Sequence, residues 1–179
     1  MENDSSRAKG DYKGRPYQTV LVRQWVESDI PVSLKLMREL AVFEEYLESF
    51  AATENILLEQ GFKLQPPNFY VLVGELNSSI QGVLVYFFLP YTASAKPMLF
   101  IKELFTSDDS RGHGIGNALM QEAAKIALEK NCVGMKWTVA SWNEPAKKFY
   151  AGLGAVANPV WIEHTITGDA LEKLGATRE

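Results

Sequence analysis

The stretch Ser110-Arg111-Gly112-His113-Gly114-Ile115-Gly116 carries three glycines at alternate positions. It follows a segment that predicts a strand over 98–106 and opens a long helix predicted over about 113–130. Glycine lets the backbone approach a ligand closely and aim successive N–H groups outward. With a helix N-terminus behind them, these amides predict an anion site, most simply for a phosphate. Arg111 adds a charge-assisted contact.

Spacing argues against two other kinds of phosphate-binding loop. The dinucleotide fingerprint Gly-x-Gly-x-x-Gly needs a glycine where this chain has Asn117 or Leu119. The P-loop needs Lys and then Ser or Thr after its last glycine, and here Asn117 and Ala118 follow Gly116. The pattern that remains is Arg-Gly-x-Gly-Ile-Gly between a strand and a helix.

Three segments together resemble the acetyl-CoA-binding motifs of the GNAT N-acetyltransferases. They are Leu104-Phe105-Thr106, the loop from Arg111 to Gly116, and Asn143-Glu144-Pro145-Ala146-Lys147-Lys148-Phe149-Tyr150. The run Ala140-Ser141-Trp142-Asn143-Glu144-Pro145 with Phe149-Tyr150 resembles the diamine (spermidine/spermine) and thialysine acetyltransferase branch, and so does the segment Arg38-Glu39-Leu40-Ala41-Val42-Phe43-Glu44. The resemblance covers about residues 19–174.

The resemblance implies an α/β fold with a mixed, mostly antiparallel central sheet, helices on both faces and a splayed strand at the acetyl-CoA site. It implies acetyl-CoA as co-substrate, with no metal. The backbone of Leu104, Phe105 and Thr106 would hold the pantetheine arm and the acetyl carbonyl. The remaining cofactor contacts that it implies fall on Arg111, on the amides of Gly112, His113, Gly114, Ile115, Gly116 and Asn117, and on Asn143, Pro145 and Ala146.

The resemblance also implies direct attack by a free amine, with Tyr150 protonating the departing CoA thiolate. A phenol with a pKa of about 10 can protonate a thiolate whose conjugate acid has a pKa near 8.5. A lysine-like amine is neutral in only roughly one molecule in 10³ to 10⁴ at pH 7, so a base, acting through water, would help. Where the branch has Glu-Asp, this chain has Lys102-Glu103. Strand alternation puts these two side chains on opposite sides, and a one-residue bulge would turn Glu103 toward the base position.

The resemblance implies an acceptor site at Phe43, Glu44, Lys102 and Glu103, and it implies a small diamine or polyamine as the acceptor. Lys102 would suit an acceptor that carries a carboxylate, so a thialysine-like acceptor stays open. An aminoglycoside or other xenobiotic amine and a protein amine are further alternatives. The non-enzymatic alternative is an acyl-CoA-binding sensor or scaffold. The resemblance implies a homodimer as well.

The composition of the chain argues against nucleic-acid binding, metal binding and membrane insertion. The chain has 179 residues, 46% of them hydrophobic, and a formal net charge of −4. This charge argues against broad binding to nucleic acid. A single cysteine and two distant histidines disfavour a metal site. No apolar run is long enough to cross a membrane, and no signal-like pattern begins the chain, so we expect a cytoplasmic protein.

The predicted organisation is a flexible polar tail over 1–18 and a single domain over 19–179. Hydrophobic patterning predicts strands over 19–25, 69–76, 80–89, 98–106, 134–139 and 160–167. It predicts helices from Asp29 with Ser28 as cap, over 54–60 with Thr53 as cap, over about 113–130, and from Pro145 to about Ala151.

Overall fold

The computed structural model describes residues 20–176, which form two compact units, residues 20–138 and residues 139–176. The predicted tail over 1–18 lies outside the described residues. The single domain over 19–179 stays a prediction. None of the helices between residues 20 and 176 combines the length and the apolar character needed to cross a bilayer.

The first unit is built on a five-stranded sheet in the order β1-β2-β3-β4-β5. Neighbouring strands are antiparallel, except that β5 runs parallel to β4. The strands are β1 Val20–Gln24, β2 Tyr70–Leu76, β3 Ser79–Tyr91, β4 Lys96–Thr106 and β5 Met135–Lys136. β5 pairs with β4 only at Leu99 and Phe100, so within residues 20–138 the rest of β4 has no strand neighbour on that side. This is the predicted mixed, mostly antiparallel sheet, with β4 splayed from β5.

Helices cover both faces of this sheet. They are α1 Ile30–Phe43, α2 Glu54–Leu58, which continues through a wider π turn over Glu59–Lys63, and α3 Ile115–Glu129. The main core lies under α1 and α2 and includes Leu36, Met37, Leu40, Val73, Val83, Val85 and Phe105. The opposite face carries α3, whose Ile115 and Leu119 approach Gly74 and Gly82 of the sheet.

The start of α1 differs from the prediction in its anchoring residue. The predicted cap Ser28 lies within the 3-10 turn Glu27–Asp29, which precedes the helix. The carboxylate of Asp29 accepts hydrogen bonds from the backbone N–H of Val26 at 2.8 Å and from both terminal nitrogens of Arg23 at 2.6 and 3.1 Å. These bonds, the Arg23 bonds foremost, lower the pKa of Asp29. Thr53 caps α2 as predicted, because its Oγ1 accepts the N–H of Ile56 at 3.2 Å.

The predicted hairpin between β2 and β3 is confirmed. Asn77 and Ser78 have φ values of 52° and 63°, and such a pair of left-handed residues forms the tight turn that matches strand twist. The strand predicted over 134–139 is confirmed only at Met135–Lys136.

The second unit contains α4 Glu144–Gly152 and α5 Gly168–Gly175. α4 begins beside the predicted Pro145. The strand predicted over 160–167 is wrong, because these residues form no strand, and α5 was not predicted. The β-branched pattern of that segment favours a strand, but a strand needs a neighbour with which to pair.

Candidate active site

The glycine loop has the backbone geometry that an anion site needs. Gly112 and Gly114 have φ values of 80° and 85°, in the left-handed region that favours glycine. A Cβ added at either residue would meet nothing within 4 Å, so this side of the loop faces open space. α3 begins at Ile115 directly behind the loop, and the first N–H groups of a helix have no acceptor within that helix. The loop can therefore offer several backbone donors to a diphosphate.

The side chains of the loop hold its shape. Nδ1 of His113 lies 3.2 Å from the carbonyl oxygen of Ser110, and Ile115 is only 1% exposed. The side chains of His113 and Ile115 are therefore turned to the protein, and a contact of either residue with a cofactor would have to come from its backbone N–H. The backbone of Leu104, Phe105 and Thr106 lies in the part of β4 that pairs with β3 and has no β5 neighbour within residues 20–138.

Arg111 connects this loop to the end of α1. Its guanidinium lies 5.3 Å from the ring centroid of Phe43 and 5.8 Å from that of Phe105, and Nη2 is 2.7 Å from Oδ1 of Asp108. Cation–π contacts of this kind favour a fixed arrangement of the three side chains. The structure thus brings the predicted cofactor residue Arg111 together with the predicted acceptor residue Phe43.

A β-bulge in β4 sets the direction of Glu103. β3 pairs Val85 with Glu103 and its next residue, Tyr86, with Ile101, so Lys102 is the extra residue. Cross-strand partners share a face of the sheet, and Val85 belongs to the core under α1. Glu103 therefore points to the α1 face.

Glu103 lies in an environment that disfavours its charge. Its Oε2 is buried and has no hydrogen-bond partner among the described residues. Burial raises the pKa of Glu103, and the nearby carboxylate of Glu44 raises it further, while Lys102 opposes the shift. A buried carboxylate with a raised pKa is a stronger base than an exposed one.

Glu44 and Tyr46 complete a polar cluster at the end of α1. Burial raises the pKa of Glu44, and Lys102 opposes this shift. Burial and the carboxylates of Glu103 and Glu44 raise the pKa of Tyr46 to about 12. Sequence reasoning missed Tyr46. It follows Glu45, whose φ of 62° is rare for a residue other than glycine, and the sequence carries no signal for that turn.

The second unit presents the other predicted residues on α4. Asn143 is buried, and its Oδ1 accepts the N–H of Ala146 at 3.1 Å, so it caps the helix with Pro145 in the first turn. Its side-chain NH₂ remains the group that could donate to a pantetheine amide. Tyr150 lies in the second half of α4, with its ring centroid 5.3 Å from that of Phe149. α4 and the glycine loop belong to different units.

Within residues 20–176, no group of three or more His, Cys, Asp or Glu side chains is arranged to hold a metal ion. The thiol of Cys132 has a pKa raised by burial, which does not favour a nucleophile.

Comparison with known proteins shows the family of this chain and its fold relatives. The model of the acetyltransferase (GNAT) family matches residues 34–155. A thialysine N-epsilon-acetyltransferase of Sus scrofa is 28% identical over 167 residues, which cover 87% of this chain and 97% of that protein. The spermidine/spermine N(1)-acetyltransferase-like protein 1 of Homo sapiens is 28% identical over 142 residues, 75% of this chain and 20% of that protein. A solved integron cassette protein from the mobile metagenome of V. cholerae superposes with a TM-score of 0.72 at 26% identity, covering 88% of this chain and 98% of that one.

Proposed function

The chain belongs to the acetyltransferase (GNAT) family and is an acetyl-CoA-dependent N-acetyltransferase, and we propose that its acceptor is a primary amine of a small diamine or polyamine. One observation carries the choice of acceptor. The buried Oε2 of Glu103 has no partner among the described residues, and the carboxylate of Glu44 is close enough to raise the pKa of Glu103. Two acidic groups at one end of α1 suit an acceptor that carries more than one positive charge.

Acetyl-CoA supplies an acetyl group activated as a thioester. The loop amides from Gly112 to Asn117 bind its diphosphate, and Arg111 contributes the adjacent positive charge. The backbone of Leu104, Phe105 and Thr106 orients the acetyl end, since that part of β4 has no β5 neighbour. Asn143, Pro145 and Ala146 at the start of α4 contact the pantetheine arm.

Glu103 and Tyr150 carry the two proton transfers. Glu103 accepts a proton from the bound ammonium, directly or through a water, and releases a neutral amine. The amine nitrogen bonds to the acetyl carbon while the bond from that carbon to sulfur breaks. A backbone N–H of β4 stabilises the charge that develops on the carbonyl oxygen. Tyr150 then donates its phenolic proton to the departing thiolate. The second proton of the amine nitrogen leaves the newly formed amide to water, and water returns a proton to the tyrosinate.

The role of Glu44 is tested by the substitution Glu44→Gln. Because the base and the acid remain, we expect KM for putrescine to rise about tenfold while kcat changes less than about twofold. Steady-state kinetics at saturating acetyl-CoA measure both constants. The matched control is Glu48→Gln, which removes an exposed charge from the next turn of the chain. If both variants keep the wild-type KM, Glu44 does not bind the acceptor.

A second candidate acceptor is an amino acid with a side-chain amine, of the thialysine type. Lys102 is the extra residue of the bulge, and its charge acts on both Glu44 and Glu103. A lysine in this place suits the carboxylate of such an acceptor. The relative from Sus scrofa bears the name of a thialysine acetyltransferase. The two candidates differ in whether a free carboxylate on the acceptor helps or hinders turnover.

Our proposal includes a homodimer and a cytoplasmic location. In the second unit, Val156, Val160, Trp161 and Ile162 are each at least 76% exposed. Large exposed apolar groups in one segment are typical of an interface, and we assign this one to a second copy of the chain. Light scattering is expected to give twice the mass of one chain, and Trp161→Ser to shift the protein toward monomer. A wild-type protein that is monomeric at micromolar concentration would overturn the assignment.

A further inference from the structure

Two glycines face each other across β2 and β3, under the start of α3. Gly74 pairs with Gly82 in the register of the two strands. Their sequence neighbours Val73 and Val83 point into the core under α1, so the glycines lie on the opposite face of the sheet. That face carries α3. We call this pair of glycines the glycine seat.

The glycine seat leaves room for one side chain of α3. A Cβ added at Gly74 would lie 2.6 Å from Cγ2 of Ile115, and one added at Gly82 would lie 2.7 Å from the same atom. Real Cβ atoms essentially never make contacts shorter than 3.0 Å, so either addition would displace Ile115. At Gly74 the other nearby atoms belong to Leu119 at 3.5 Å, an ordinary distance, so the conflict there is confined to Ile115.

Ile115 is the residue through which the seat acts on the glycine loop. It follows Gly114, whose φ of 85° shapes the loop, and it is the first residue of α3. Two hydrogen bonds connect the other end of the loop to β3. The N–H of Ser107 donates to the carbonyl of Gln81 at 2.9 Å, and its Oγ donates to Oε1 of Gln81 at 2.6 Å. The height of the loop above the sheet therefore depends on β2 and β3.

We propose that Gly74 and Gly82 are positioning residues for acetyl-CoA: by seating the Ile115 side chain, they fix the height at which the loop amides meet the diphosphate. This inference rests on the proposed use of acetyl-CoA at the loop. A methyl group on the seat lifts the first turn of α3, and the amides no longer converge on one ligand position. Misplacement of reacting groups by about 1 Å can cost roughly 10²-fold in rate, and the loss of converging hydrogen bonds from the loop amides should weaken acetyl-CoA binding as well.

The test compares Gly74→Ala with a control that is matched for steric conflict. A Cβ at Gly61 would lie 2.4 Å from Cζ2 of Trp25, in the core on the other side of the sheet. Calorimetric titration with acetyl-CoA is expected to give at least about tenfold weaker binding for Gly74→Ala, and binding within about twofold of wild type for Gly61→Ala. Both variants are expected to lower Tm, so loss of stability alone does not separate them.

A second substitution tests the atom that transmits the effect. Leucine lacks the Cγ2 branch of isoleucine, so Ile115→Leu in the Gly74→Ala background should recover most of the lost affinity. If Gly74→Ala does not fold, Gly82→Ala replaces it and is compared with and without Ile115→Leu, because its Cβ would also lie 3.1 Å from Leu119 and 3.3 Å from the carbonyl oxygen of Phe105. The proposal is overturned if Gly74→Ala and Gly61→Ala weaken acetyl-CoA binding equally, or if Ile115→Leu restores Tm without restoring affinity.

Hydrogen exchange without ligand separates this inference from the proposed function. Peptides covering 110–117 should exchange faster in Gly74→Ala than in wild type, and at the wild-type rate in Gly61→Ala. Unchanged exchange in Gly74→Ala contradicts the glycine seat even if wild-type protein binds acetyl-CoA. Faster exchange, with no acetyl-CoA binding by wild type, supports the seat and contradicts the proposed function instead.

Discussion

Replacing Glu103 by glutamine is expected to lower kcat/KM for a diamine by about 10²- to 10³-fold, within the range that general-base catalysis contributes. Glutamine keeps the shape of the side chain but cannot accept the proton of the ammonium. The neutral amine fraction then limits the reaction, because only roughly one molecule in 10³ to 10⁴ is neutral at pH 7. Stopped-flow or steady-state CoA release as a function of putrescine concentration measures the loss.

The pH profile distinguishes a lost base from a disturbed fold. Burial and Glu44 raise the pKa of Glu103 against the opposing effect of Lys102, so the acid limb of kcat/KM in wild type should lie above the pKa of an exposed glutamate. That limb should disappear in Glu103→Gln. An acid limb that persists unchanged in the variant contradicts the assignment.

The Glu103→Gln substitution should lower activity without lowering the thermal stability of the protein. Because the folded protein raises the pKa of Glu103, its contribution to stability is present at low pH and is lost as the pH rises through the folded-state pKa. Glutamine carries no charge to bury. The Tm of Glu103→Gln at pH 7 is therefore expected to equal or exceed that of wild type, while kcat/KM falls.

Replacing Tyr150 by phenylalanine is expected to lower kcat by about 10²-fold, with KM for acetyl-CoA and for the amine nearly unchanged. The phenol is the proposed donor to the thiolate, and phenylalanine keeps the ring that lies 5.3 Å from Phe149. Single-turnover measurements of CoA release isolate the chemical step.

Tyr91→Phe is the control for loss of a phenol, because Tyr91 lies at the exposed end of β3. It should leave the single-turnover rate at the wild-type value. A Tyr150→Phe variant that releases CoA at the wild-type single-turnover rate would show that another group, or water, protonates the thiolate.

The parts of the fold that depend on local chemistry could be predicted from the sequence. The left-handed φ values at Gly112 and Gly114 need glycine, and the cap at Thr53 needs a side-chain acceptor next to the first turn. In each of these features, the residues that interact lie within a few positions of one another in the sequence. For the same reason the hairpin at Asn77 and Ser78 was predictable from its turn residues.

The direction of Glu103 could not be predicted in the same way, because it depends on how two strands pair. Strand alternation allows Glu103 to face either α1 or the opposite side of the sheet, depending on whether β4 contains a bulge. Only the register of β4 against β3 shows that Lys102 is the extra residue. The position of Tyr46 depends on the left-handed turn at Glu45, and the sequence has no glycine there that would predict such a turn. The sequence alone does not distinguish Gly74 and Gly82 from other strand glycines, because their importance comes from α3, which packs over them in the folded chain.

The end of the chain shows where patterning misleads. Residues 160–167 are rich in strand-forming side chains, yet they form no strand, and Trp161 is 79% exposed. A β-branched pattern indicates that a segment could form a strand with a buried face, but it does not show whether a neighbouring strand exists for it to pair with. The same exposed segment is the one that we assign to a second copy of the chain.

The most direct test of the central claim is a CoA-release assay on wild-type protein with acetyl-CoA and a panel of amines. The panel contains 1,3-diaminopropane, putrescine, spermidine, spermine, thialysine, lysine and one aminoglycoside. If the cluster of Glu44 and Glu103 receives a dication, kcat/KM should be highest for a diamine or polyamine. A clear preference for thialysine would contradict this and assign Lys102 to a substrate carboxylate, and tight acetyl-CoA binding without turnover of any amine would contradict the proposed acceptor class altogether.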